Sequence, residues 1–96
     1  MKYKPPSPED LVRLKEALGY SSAQMADLFG VATGRQWRRY TSKPEDPTNH
    51  RDMSLQMLFF ATARLELDQD TFERILDRMR AYGAHVDLSA DGNPQQ

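Results

Sequence analysis

Each apolar stripe in this chain sits between a helix start signal and a helix stop signal, and the intervals are short. Ser7 and Pro8 precede Leu11, Leu14 and Leu18, and Gly19 follows; Ser21 precedes Met25, Leu28 and Phe29, and Gly30 follows. Ser7 can cap, Pro8 suits the first helical position, and Asp10 lies three residues beyond the cap, while Ser21 with Gln24 matches the capping-box pattern. Tyr20 is placed to staple onto Met25. Thr33 opens a third segment, and Pro44 ends it by biasing Lys43 out of the helical region. A fourth helix is predicted over roughly 53–66 from Leu55, Leu58, Phe59, Thr62 and Leu65 or Glu66. A fifth opens near Asp68 to Asp70, carries Phe72, Ile75, Leu76, Met79 and Tyr82 on one stripe, and closes at Gly83. The predicted fold is therefore all-α: a five-helix single domain over 7–83, in which the second and third helices, about 21–29 and 33–42, form a helix-turn-helix. Residues 1–6 read as a flexible arm, and 84–96 as a tail with a short extended piece at His85 to Leu88 and a disordered end.

The length of 96 residues leaves room for one core. Cysteine is absent, which excludes disulfides and thiolate metal sites and fits a reducing cytoplasm. The run Met57 to Ala61 is far too short to cross a bilayer, and "MKYKPPSPED" has no apolar region of the kind a signal peptide needs. A cytoplasmic protein with no membrane partner is expected. His50 and His85 are the two histidines and lie far apart without a ligand pattern, so no metal is expected. No nucleophile–base set or glycine-rich phosphate loop occurs, so the expectation is a non-enzyme without cofactors.

The charges are unevenly distributed. Between Gly30 and Lys43 the chain holds Arg35, Arg38, Arg39 and Lys43 and no acidic residue, so the remainder is strongly acidic against a formal net charge of −1. On a helical wheel Arg35, Arg38, Arg39 and Ser42 share an arc of about 100°, with Trp37 and Tyr40 on the opposite side. The aromatics can be buried while all three guanidinium groups point the same way. A solvated helix face usually mixes signs, because acidic partners one turn away add stability. Arginine suits phosphate oxygens and guanine edges, since its planar fork donates two parallel hydrogen bonds. A plain solvated face, or salt bridges to the acidic remainder, is the competing explanation. Two short helices joined at a glycine, the second with a one-faced basic stripe, have the layout of a helix-turn-helix whose second helix enters the major groove. Small Ala26 lets the helices approach.

With these residues in view, "SSAQMADLFGV" followed by "TGRQWRRYTS" resembles the lambda-repressor and Cro type of helix-turn-helix regulator, common in phages and prophages. The resemblance spans about residues 8–66. It implies double-stranded DNA as partner, repression by operator occupancy, and base reading through the first turns of the third helix. That assigns base contacts to Gly34, Arg35, Gln36 and Arg38, with Arg39 reading bases or gripping phosphate. Backbone contacts would fall to Ser21 and Ser22 at the start of the second helix, to Thr33, and to Ser42, Lys43 and Arg51 after the third. The interval from Gly30 to Trp37 is one residue longer than the family's usual spacing.

Other features keep two readings. Trp37 can be a core residue or a stacking platform for single strands. His50 can touch phosphate beside Arg51 or simply be solvated. Lys2 and Lys4 can add a weak backbone contact. Met53, Met57 and Phe60 can be packing or part of a partner surface. The fifth helix can pack within the molecule or form the seam of a homodimer with the His85 to Leu88 piece, since such regulators usually pair to read two half-sites. A helix-turn-helix scaffold used as a protein-binding module, antitoxin-like or an inhibitor of a host protein, is the alternative function.

Overall fold

The computed structural model describes residues 1–88, and within them every regular element is an α-helix: α1 (Pro8–Leu18), α2 (Ser22–Phe29), α3 (Gly34–Tyr40), α4 (Leu55–Glu66) and α5 (Gln69–Ala81). Local chemistry sets the ends. Ser7 accepts from the Asp10 amide while the Asp10 carboxylate accepts from the Ser7 amide, and Ser21 and Gln24 do the same for α2. The Asp10 bonds hold its carboxyl below the usual carboxylate range, led by the Ser7 backbone N–H. Gly19 and Gly30 end α1 and α2 at φ 70° and 76°, a left-handed conformation that side chains other than glycine enter at a cost.

The core joins these helices through Leu11, Met25, Ala26, Leu28, Phe29, Trp37, Met53 and Ala61, with Leu14, Leu18, Tyr20, Val31, Tyr40, Met57 and Leu58 packed around them. Trp37 is 1% exposed and lies against Phe29, ring centroids 5.0 Å apart, so α3 is anchored to α2 by its aromatic side. Trp37 is thus a core residue. The α2–turn–α3 pair packs closely and forms the helix-turn-helix, and α4 closes over α2. Arg64 on α4 fixes that contact. Its Nη1 donates to the carbonyls of Asp27 (2.8 Å) and Leu28 (3.2 Å), which lie in the last turn of α2. The same guanidinium sits 5.4 Å from the Phe60 ring centroid.

Two boundaries differ from the sequence-based expectation. α3 ends at Tyr40 rather than Ser42, because the Thr41 and Ser42 hydroxyls turn back to donate to the carbonyls of Arg38 and Arg39. α4 starts at Leu55, capped by Ser54, which leaves Met53 in the loop but buried in the core. Met53 is therefore packing, and half-buried Met57 packs beside it. The Met53 carbonyl accepts from the Tyr3 hydroxyl at 2.8 Å, so the arm over 1–6 has no regular structure yet is fastened at Tyr3. Burial, then the nearby Asp52 carboxylate, raises the Tyr3 hydroxyl above its ordinary value.

The extended piece expected at His85 to Leu88 forms no strand. Arg80 instead donates from Nε and Nη2 to the Val86 carbonyl (3.2 and 2.8 Å), folding the start of the tail against the end of α5. The tail's expected disordered end, 89–96, lies outside the described residues. α5 meets α4 through Phe72 and Phe60, ring centroids 6.2 Å apart, and buries Leu76. Ile75, Met79 and Tyr82 stay exposed, as does Phe59 on α4 at 71%.

Candidate nucleic-acid interface

The basic segment folds as its wheel requires: Trp37 is inward, and Arg35 and Arg38 are exposed on the other side of α3. Among the described residues neither guanidinium makes a hydrogen bond or ion pair. The ion pairs are Arg13–Asp10, His50–Asp52, Arg64–Asp27 and Arg80–Asp77, and none includes a side chain of α3. No carboxylate among the described residues is therefore paired with this face. A positive helix surface with donors to spare has the chemistry to meet an acceptor-rich, negative group.

Arg39 behaves differently. It is half-buried, and its Nε donates to the Asn49 carbonyl at 3.1 Å. The Arg39 carbonyl accepts from the Arg51 amide (3.1 Å) and the Ser42 hydroxyl (2.8 Å). Arg39 thus clamps the loop after α3 onto the helix, with part of its guanidinium left over. A hollow of about 240 Å³ lined by Val31, Gln36, Arg39, Tyr40 and Arg51 marks where the loop returns to α3. Arg51 is exposed there, and Lys43 is exposed just beyond the end of α3. The loop so adds two positive side chains at the edge of the Arg35–Arg38 face.

His50 reinforces this loop. Its side chain is 12% exposed, with Nδ1 3.0 Å from the Ser42 carbonyl and Nε2 2.9 Å from the Asp52 carboxylate. It bridges the two ends of the loop and is not a solvated side chain. Nothing in the spacing of "KPEDPTNHRD" marks Asn49 or His50 for these roles, because both act only once the loop has closed on α3.

The remaining expected contacts separate into free and occupied groups. Thr33 is the N-cap of α3, its hydroxyl accepting from the Gln36 amide at 3.1 Å. Gln36 is exposed, but its Oε1 accepts from the Ala32 amide at 2.9 Å, leaving Nε2 as the end without a partner among the described residues. Ser21 is exposed with its hydroxyl accepting from Gln24, and Ser42 is half-buried with its hydroxyl donating to Arg39. Ser22 is half-buried against Gly34. A Cβ on Gly34 would stand 3.1 Å from the Ser22 Cβ, 3.2 Å from the Ala23 nitrogen and 3.2 Å from the Ser22 carbonyl carbon. Gly34 is therefore a packing glycine at the crossing of α2 and α3, with no room for a side chain that could reach a base. In the turn from Gly30 to Thr33, Val31 donates back to the Ala26 carbonyl at 2.9 Å.

No helix among the described residues is long and apolar enough to cross a membrane. No family model, curated protein or solved structure matches the chain, so the assignment of this surface rests on its own geometry and charge.

Proposed function

We propose that the protein is a sequence-specific DNA-binding regulator of the lambda-repressor and Cro type, phage- or prophage-derived, acting in the cytoplasm by occupying an operator. The observation that carries the reading is the unpaired Arg35–Arg38 face of α3, opposite the buried Trp37, in the second helix of a helix-turn-helix. α3 would lie in the major groove with Arg35, Arg38 and the Nε2 end of Gln36 toward bases. Lys43, Arg51 and the spare part of Arg39 would meet phosphates and set the register. Ser21, Ser22, Thr33 and Ser42 would contribute mainly through backbone, since their side chains are committed to caps or packing.

One seven-residue reading helix reaches few base pairs, and a second copy doubles the site. The face for it would be the exposed strip of Ile75 and Met79 on α5, Tyr82 at its C-cap and Phe59 on α4, beside an apolar groove of about 820 Å³. α5 carries Asp70, Glu73 and Arg74 before Ile75 and Asp77, Arg78 and Arg80 after it, with Arg80 paired to Asp77. A second copy laid on the strip would bury these apolar side chains with mixed charges along its rim. The same strip also favours the second reading, a protein-binding module seated on the groove.

Titration of a labelled duplex from the region upstream of the protein's own gene tests the function. Saturable binding that weakens steeply with salt is expected, together with its loss in Arg38→Ala at unchanged melting temperature. A stoichiometric protein partner retained after nuclease treatment, with no duplex binding, would favour the module instead.

A further inference from the structure

The side chains on the outer face of α3 are an unusual mixture, because each acceptor among them already holds a backbone N–H. Gln36 Oε1 takes the Ala32 amide and Thr33 Oγ1 takes the Gln36 amide. What has no partner among the described residues is two guanidinium groups, at Arg35 and Arg38, and the Gln36 Nε2, all of them donors. The direction of the Gln36 amide is settled by chemistry: an N–H pointing at it requires the oxygen end. Freeing that oxygen would orphan the Ala32 amide at the start of the helix.

Major-groove edges differ in what they ask for. Adenine N6 and cytosine N4 need an acceptor from the protein, and the usual glutamine–adenine pair spends both ends of the amide on one base. Guanine presents two acceptors, N7 and O6, spaced for an arginine fork. Arg35 and Arg38 are three residues apart, a rise of about 4.5 Å along the helix, close to one base step. On the proposal that α3 lies in the major groove, we infer that this protein is a guanine reader: each half-site holds two guanines on neighbouring or next-neighbouring base pairs, one for Arg35 and one for Arg38. Gln36, its oxygen held by the Ala32 amide, adds a donor toward an acceptor between or beside them.

Selection of bound duplexes from a randomised library by the full-length protein tests this directly, followed by 7-deazaguanine substitution in the selected site. Two guanines within three base pairs are expected to dominate. Replacing either by 7-deazaguanine, which lacks the N7 acceptor, should weaken binding about ten-fold or more. Arg35→Lys and Arg38→Lys keep the charge but lose the fork. Each should retain the salt dependence of binding while relaxing the preference at one guanine. Tight sites without guanine, indifference to 7-deazaguanine, or lysine variants with full preference would overturn the inference while leaving DNA binding intact. Absence of saturable binding to any duplex at low salt would overturn the functional proposal and this inference together.

Discussion

Gly34→Ala adds one methyl group where α3 crosses the first turn of α2, and the structure sets both sides of its balance. In favour is helix propensity, worth at most about 1 kcal/mol for alanine over glycine and less at a first helical position. Against it stand contacts of 3.1, 3.2 and 3.2 Å to the Ser22 Cβ, the Ala23 nitrogen and the Ser22 carbonyl carbon. Two of these atoms are backbone, held by the Ser21–Gln24 capping box, so the relief has to come from α3 moving away. Overpacking of this kind costs about 1–3 kcal/mol, so the net effect is destabilisation on the order of 1 kcal/mol. In a domain of this size that lowers the melting temperature by about 4–8 °C. The displaced α3 should also lose duplex affinity. Gly19→Ala is the matched control: a Cβ there meets nothing within 4 Å, and the penalty is the left-handed backbone at φ 70°, about 1–2 kcal/mol. It should lower the melting temperature comparably and leave DNA binding unchanged. Thermal melts and duplex titrations on the two variants decide the matter. An unchanged or raised melting temperature for Gly34→Ala would refute the close crossing of α2 and α3. A fall in stability with wild-type affinity would refute the link between that crossing and the reading face.

Arg64→Ala removes two donors from the end of α2 and the cover on Phe60; a loss of about 1–2 kcal/mol by chemical denaturation is expected, with the salt dependence of DNA binding untouched. Asp68 caps α5 through the Thr71 amide, and that bond holds its carboxyl below the ordinary value of 3.8. Since the folded form has the lower pKa, its contribution is complete above 3.8 and is lost as the pH falls through the folded value. The stability difference between wild type and Asp68→Asn should therefore shrink in acid, and a difference that is flat with pH in melts would contradict the assignment. Ile75→Asp with Met79→Asp should convert the protein to a monomer in sedimentation while α3 still folds; a wild type that is monomeric at every concentration would remove the α5 interface.

The parts of this fold legible in the sequence are those whose causes are local. Ser7 with Asp10, Ser21 with Gln24, and Gly19 and Gly30 each act within a turn of the chain, and each sits where its pattern places it. Trp37 was also legible, because its burial follows from a seven-residue wheel with arginines opposite. Properties that depend on a second segment arriving were hidden. Ser42 left the helix because hydroxyls compete for the last carbonyls and the loop docks on Arg39. Arg39 looked equivalent to Arg35 and Arg38 until Asn49 returned to accept from it. Gly34 looked like a surface position until α2 lay across it. Met53, expected to open the fourth helix as packing or partner surface, lies before that helix and in the core by tertiary contact. No periodicity encodes such encounters.

The most direct measurement is the salt dependence of saturable duplex binding for the wild type and for the Arg35→Ala/Arg38→Ala variant, alongside their melts. Each phosphate neutralised contributes about −0.9 to the slope of log affinity against log salt. With Lys43, Arg51 and the free part of Arg39 at the backbone, the wild type should show a slope of about −3 per bound copy. The double variant should keep its melting temperature and lose preference for the selected site. Equal, selective binding by both proteins, or no binding by the wild type at low salt, would contradict the claim that the face of α3 is built to meet DNA.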